Sequence, residues 1–245
     1  MILRRAAAEA LGAALLAAAV VGSGIMAERL ARGEEALALL ANAIATGCAL
    51  FVLIEALKGA SGAHFNPAVT VALALARRHP VREIAPYVVA QLLGALAGVL
   101  AAHAMFDLPL VQLSGKARGG AGQWLAEAIA TFGLVFVVLR GVRTASAALP
   151  AAVAAYITAA YWFTASTSFA NPALTVGRAL TGTFSGIAPE HAPAFIVAQL
   201  GGAAAAWAFE RWLSAPLADA PALAPRPLRT DTRSRGPGSS PTATG

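Results

Sequence analysis

Charge is scarce in this sequence: only 12% of its 245 residues are Asp, Glu, Lys or Arg. A water-soluble domain carries roughly a quarter, so most of this surface meets something other than water. Cysteine is nearly absent. Cys48 stands alone, which excludes an internal disulfide and a thiolate metal cluster. The His, Asp and Glu residues fall into no metal-ligand spacing, and no nucleophile sits with a base in a catalytic pattern. The sequence therefore argues against an enzyme, and no catalytic residue, cofactor or metal site is expected. Acid is scarcer than base, with 12 Asp and Glu against 18 Lys and Arg. That excess would suit nucleic acid, but its placement suits a bilayer better.

Apolar residues make up 58% of the chain. A hydrocarbon core of ~30 Å takes about 20 of them per helix. Six windows qualify: 6–27, 36–57, 83–105, 121–140, 148–166 and 193–213. With the amino terminus inside, most cations fall on the cytoplasmic side, among them Arg4, Arg5, Lys58, Arg77, Arg78, Arg82, Arg140, Arg143 and Arg211. Both termini are then cytoplasmic and no nucleic-acid partner is needed. Arg4 and Arg5 before an Ala-rich run resemble a signal peptide, but Glu9 and the length of the run favour a retained helix. Residues 214–245 are rich in Pro, Ser, Thr and Arg. They read as a disordered cytoplasmic tail after a channel-sized domain at 1–213.

Within that domain one plan occurs twice, at about 5–106 and 121–213. AEALG around Glu9 is answered by AEAIATFG around Glu127, SGAHFNPAVT by TSFANPALTV, and AQLLG at Gln91 by AQLGG at Gln199. Three spans per copy is odd, so the second copy must be inverted, and inverted repeats place a transport site near the membrane midplane. Asn caps helices and Pro favours their first position. Asn66-Pro67 and Asn171-Pro172 therefore each start a helix, the first running to Arg77 and the second through LTVGRAL towards Gly182. About eleven residues reach only ~16 Å, half the hydrocarbon core. One half-helix then enters from each side, and the two amino termini meet, each carrying ~+0.5 charge. That field repels cations and protons, while the Asn66 and Asn171 amides donate to a passing oxygen. Such an arrangement is a narrow pore for neutral, hydroxyl-bearing molecules.

The two Asn-Pro-Ala motifs, each in its slot of the Glu/Gln repeat, resemble the aquaporin (major intrinsic protein) channels over residues 5–213. The resemblance implies an all-α membrane fold of six transmembrane helices plus two re-entrant half-helices, a pore in each subunit, and a homotetramer. The pore motifs would be Asn66, Pro67, Ala68, Asn171, Pro172 and Ala173. The chain departs from the family where Arg usually follows the second motif; Leu174 stands there. Counting from the motifs, the family's constriction falls on Thr46, Ala159, Ser168 and Leu174, a small and uncharged set that should pass solutes larger than water. TSTSFANPALTVGRAL with this gate looks like a bacterial subgroup associated with arsenic resistance. That resemblance implies the bacterial inner membrane, and solutes spanning water, glycerol-like polyols and the hydroxides of arsenite and antimonite.

Arg178 lies one turn beyond Leu174. It either hangs over the outer vestibule or snorkels to headgroups. His64, two residues before Asn66, faces the inner vestibule by the same resemblance, as a hydrogen-bonding lining group or a pH gate. Glu9 and Glu127 read as acceptors for the loops before each motif, with proton relay as the sharper alternative. Gln91 and Gln199 read as their interhelical partners. Cys48 reads as helix packing, and Glu55 as a partner for Lys58. Two rivals remain open: a coupled secondary transporter, which inverted repeats also build, and a non-conducting membrane protein of the same fold.

Overall fold

The computed structural model describes residues 2–215, so all but the start of the tail expected at 214–245 lies outside the described residues. Among the described residues eight α-helices follow one another: α1 (Ile2–Ala31), α2 (Glu35–Ser61), α3 (Pro67–Leu75), α4 (Ile84–Met105), α5 (Ala121–Arg143), α6 (Leu149–Phe163), α7 (Pro172–Arg178) and α8 (Ala192–Leu213). Five segments among the described residues are long and apolar enough to span a membrane; α6, at 15 residues, is the shorter sixth. It stops at Phe163 rather than reaching 166, because Thr164 turns to an extended backbone and leads into the loop before Asn171.

The packing is two-fold. α1 lies on α4 and α2 as α5 lies on α8 and α6, and α3 touches α4 and α8 where α7 touches α8 and α4. Glycine sets the closest contacts. A Cβ on Gly94 would collide with the Ala10 carbonyl oxygen, and one on Gly202 with that of Ala128. Ala10 follows Glu9 and Ala128 follows Glu127, so each close approach brings a Glu-bearing helix against its Gln-bearing partner. Small residues permit this contact in lipid, where packing rather than hydrophobic burial holds helices together. Gly201 has open space beside it and makes no such contact.

The short helices are shorter than their apolar runs. α3 has 9 residues and α7 has 7, about 14 and 11 Å at 1.5 Å per residue. Arg77 takes a left-handed φ of 57° and ends the first, so Ala76 is its cap. The second ends at Arg178, four residues short of Gly182. Glu55 pairs with Lys58 at 2.7 Å, and Cys48 lies exposed on α2 rather than packed between helices of this chain.

Candidate functional site

The loops before the short helices are irregular backbone deep in an apolar protein, and that needs acceptors. Ala63, Phe65, Thr167, Ser168 and Ala170 all have φ between 47° and 61°, a left-handed conformation that costs a non-glycine residue ~1 kcal/mol or more. Two carboxylates hold it. Glu9, fully buried, accepts from the backbone N–H of His64 at 3.0 Å and of Phe65 at 2.7 Å, from Ser61 Oγ at 2.6 Å and from Gln91 Nε2 at 2.8 Å. Glu127, equally buried, accepts from the N–H of Phe169 at 2.8 Å and of Ala170 at 2.9 Å, and from Gln199 Nε2 at 2.6 Å. Each glutamine also donates to a threonine of the adjoining short helix: Gln91 to Thr70, Gln199 to Thr175. α4 and α8 thus tie loop, half-helix and carboxylate together from behind.

Clamped this way, the loops present two helix starts to each other. Asn66 Oδ1 accepts from the Ala68 N–H at 2.9 Å, and Asn171 Oδ1 from those of Ala173 and Leu174 at 3.0 and 3.3 Å. Pro67 and Pro172 occupy the first helical positions, where no N–H is missed. The amide nitrogens cross over. Asn66 Nδ2 donates to the carbonyl of Ala170, just before Asn171, and Asn171 Nδ2 donates to that of Phe65, just before Asn66. Each NH2 group has two hydrogens, so one from each asparagine is left for a solute. Ala68 and Ala173 are closed in completely, and the pair fixes both amino termini at one level.

A cavity of about 90 Å³ runs past this level, room for several waters at ~10–15 Å³ each. Four helices wall it through stripes spaced by four residues: Leu16 and Val20 on α1; Thr46, Leu50 and Ile54 on α2; Leu134, Val138 and Val142 on α5; and Leu149, Val153, Ile157 and Tyr161 on α6. Such spacing puts side chains one above another on one helix face. Thr46, Ser168 and Leu174 line the cavity; Ala159 does not. It is exposed on the far side of α6, two residues off the stripe and so about 200° round the helix from Ile157. Tyr161 takes the α6 place instead, its hydroxyl 3.1 Å from Thr46 Oγ1.

Arg178 does not snorkel. It is buried, lines the cavity, and lies with its guanidinium carbon 3.3 Å from the centre of the Phe169 ring. Its Nε donates to the Ser185 carbonyl. Arg118, from the loop between α4 and α5, stacks on the same ring at 5.0 Å and donates to the Gly186 and Ser166 carbonyls at 2.9 and 3.0 Å. Burial pulls Arg118 below its ordinary pKa, opposed by Glu127 and Tyr161; a guanidinium stays cationic nonetheless. At the other end His64 lines the cavity with Nδ1 3.0 Å from Thr70 Oγ1. The sequence reading missed Tyr161, Phe169 and Arg118. The four-residue stripe on α6 is a signal that finds the first.

Comparison with known proteins agrees with this architecture. The family pattern described as Major intrinsic protein matches residues 1–148. The chain is 56% identical over 213 residues to Aquaglyceroporin AqpS of Rhizobium meliloti (strain 1021), covering 87% of this chain and 91% of that one. It is 33% identical to the probable aquaporin PIP2-8 of Oryza sativa subsp. japonica, over 86% and 82% of the two chains. In three dimensions it resembles the aquaglyceroporin from Plasmodium falciparum, with a TM-score of 0.64 at 20% identity over 87% of this chain and 98% of that one. By the family pattern over residues 1–148 and the 56% identity over 213 residues, this chain belongs to the major intrinsic protein family of multi-pass membrane proteins, and the three-dimensional likeness shows the same fold.

Proposed function

We propose that the chain is a passive channel for water and glycerol-like neutral solutes, without enzymatic chemistry. The observation that carries it is the reciprocal asparagine exchange, Asn66 to Ala170 and Asn171 to Phe65, set against a cavity whose other walls are mostly apolar. A solute passing that level meets two N–H donors and two helix amino termini, which stabilise an oxygen and repel a cation. Thr46, Tyr161, Ser168 and Leu174 form the constriction, with the Leu174 side chain widening it where a longer polar group would fill it. Such a gate admits a molecule shaped like glycerol. Trivalent arsenic and antimony hydroxides are neutral and similarly shaped, so they belong to the same solute class. No acidic side chain lines the cavity among the described residues, and Glu9 and Glu127 are buried and already accept from loop N–H groups and from Gln91 and Gln199, which argues against proton coupling. We place the channel in a bacterial inner membrane as a homotetramer, with both termini cytoplasmic, an orientation that the distribution of Arg and Lys supports.

The test is stopped-flow light scattering on proteoliposomes of the full chain, measuring water, glycerol and arsenite entry for wild type and Leu174→Arg. Wild type should pass glycerol readily and the variant should suppress it while water flux survives. Absence of any flux in wild type would overturn the channel reading. Water flux alone would overturn the wide gate.

A further inference from the structure

The two halves of the pore are not equivalent at one pair of positions. Counting from each asparagine, Leu174 answers Val69 and Arg178 answers Leu73, and all four line the cavity. One end of the pore therefore carries a fixed cation where the other carries a leucine. Arg178 sits one helical turn past Leu174, about 6 Å further from the asparagine level, on the same face of α7. Its guanidinium is not used up in holding the protein. Nε alone is bonded, to Ser185, and among the described residues neither terminal nitrogen has a hydrogen-bond partner and no carboxylate forms an ion pair with it. A cation at 2% exposure with unpartnered donors, in the wall of a cavity, is placed to meet what enters the cavity.

What fixes its direction is equally visible. Glu127 accepts from the Phe169 N–H, and the left-handed residues on either side, Ser168 and Ala170, turn the Phe169 ring out of the loop. That ring carries Arg178 on its π-system at 3.3 Å and Arg118 at 5.0 Å. A cation on an aromatic face is attracted by the ring quadrupole, most strongly where water is excluded. In the other half the position of Phe169 is taken by His64, which is bonded to Thr70.

Resting on the channel reading above, we propose that Arg178 is the specificity-determining cation of this pore, displaced by one helical turn from the residue directly after the motif, and that Phe169 is its positioning residue. Arg178 narrows the entrance, donates N–H groups to the solute's hydroxyl oxygens and repels protons and metal cations. Leu174, freed from that duty, keeps the level below it wide and apolar.

The test compares wild type, Arg178→Leu, the transposed double variant Arg178→Leu/Leu174→Arg, and Phe169→Leu in proteoliposomes of the full chain. Water and glycerol entry are read by light scattering and proton entry by a trapped pH dye, with thermal unfolding in detergent as the folding control. Arg178→Leu should raise the glycerol-to-water permeability ratio and the proton leak severalfold, because widening the entrance and removing the fixed cation outweigh one lost hydrogen bond to the solute, itself worth roughly three- to tenfold. The double variant should bring both back towards wild type, because an arginine one turn away still reaches the solute but not the Ser185 carbonyl. Unchanged selectivity in Arg178→Leu overturns the proposal. So does a changed selectivity that the double variant leaves uncorrected, which assigns Arg178 to bracing the Ser185 loop. Should Arg178→Leu fail to fold, Phe169→Leu decides, since it keeps the arginine and its Ser185 bond. It should shift both readouts the same way, and wild-type behaviour overturns the proposal. A wild type that passes neither water nor glycerol sinks the channel reading beneath it instead, an outcome distinct from all of these.

Discussion

Glu127→Ala is the sharpest single perturbation of the site, because the carboxylate does its work through bonds that can be counted. It accepts from Phe169 N–H at 2.8 Å, Ala170 N–H at 2.9 Å and Gln199 Nε2 at 2.6 Å. The two backbone groups belong to a loop whose Thr167, Ser168 and Ala170 have positive φ, so they have no regular ladder to fall back on. A hydrogen bond to a charged group contributes about 1.5–3 kcal/mol, and a buried donor left without acceptor costs ~1–3 kcal/mol. For the two backbone donors the loss is thus roughly 3–6 kcal/mol. At ~2–4 °C per kcal/mol for a chain of this size, the unfolding midpoint in detergent should fall by roughly 6–24 °C, and water and glycerol flux should fall with it as the Asn171 level shifts. Glu127→Gln retains one acceptor oxygen and should lose about half as much. An alanine variant with the wild-type midpoint and wild-type flux would refute the clamp. A glutamine variant that keeps its midpoint yet loses a flux driven by a proton gradient would show instead that Glu127 relays protons.

Two further outcomes follow from the packing and the cavity wall. Gly94→Ala and Gly202→Ala each drive a Cβ into the backbone oxygen of the neighbouring helix, so each should destabilise by about 1–3 kcal/mol, read as lower thermal midpoints, whereas Gly201→Ala, beside open space, should cost little. Tyr161→Phe removes the hydroxyl that meets Thr46 at 3.1 Å and should change the glycerol-to-water ratio, while Ala159→Leu, pointing out of the protein, should leave flux as it is; the opposite pattern in the same liposome assay would return Ala159 to the pore.

That last contrast marks where a sequence stops specifying a pore. The two helix starts were legible because each needs only local chemistry: an asparagine that caps and a proline at the next position, repeated in two matching contexts. The fold was legible because apolar length and the count of spans leave few ways to cross a bilayer. The constriction on α6 depends instead on the rotation of one helix about its own axis. Counting back from Asn171 assumes a fixed geometry between α6 and α7, and the helix ends at Phe163 with five of the next eight residues in turns or left-handed backbone that counting does not see. The stripe Leu149, Val153, Ile157 and Tyr161 carries the rotation directly, since residues four apart must share a face whatever the loop does. Arg178 shows the complementary limit. Its turn on α7 could be counted from Leu174, but snorkelling and lining place an arginine at the same spot in sequence. What separates them is the Phe169 ring, turned out of a strained loop, and Arg118, brought to the same ring from a connection more than fifty residues away. Local signals therefore fix where helices begin, and helix rotation together with long-range aromatic contact decides which side chain a solute meets.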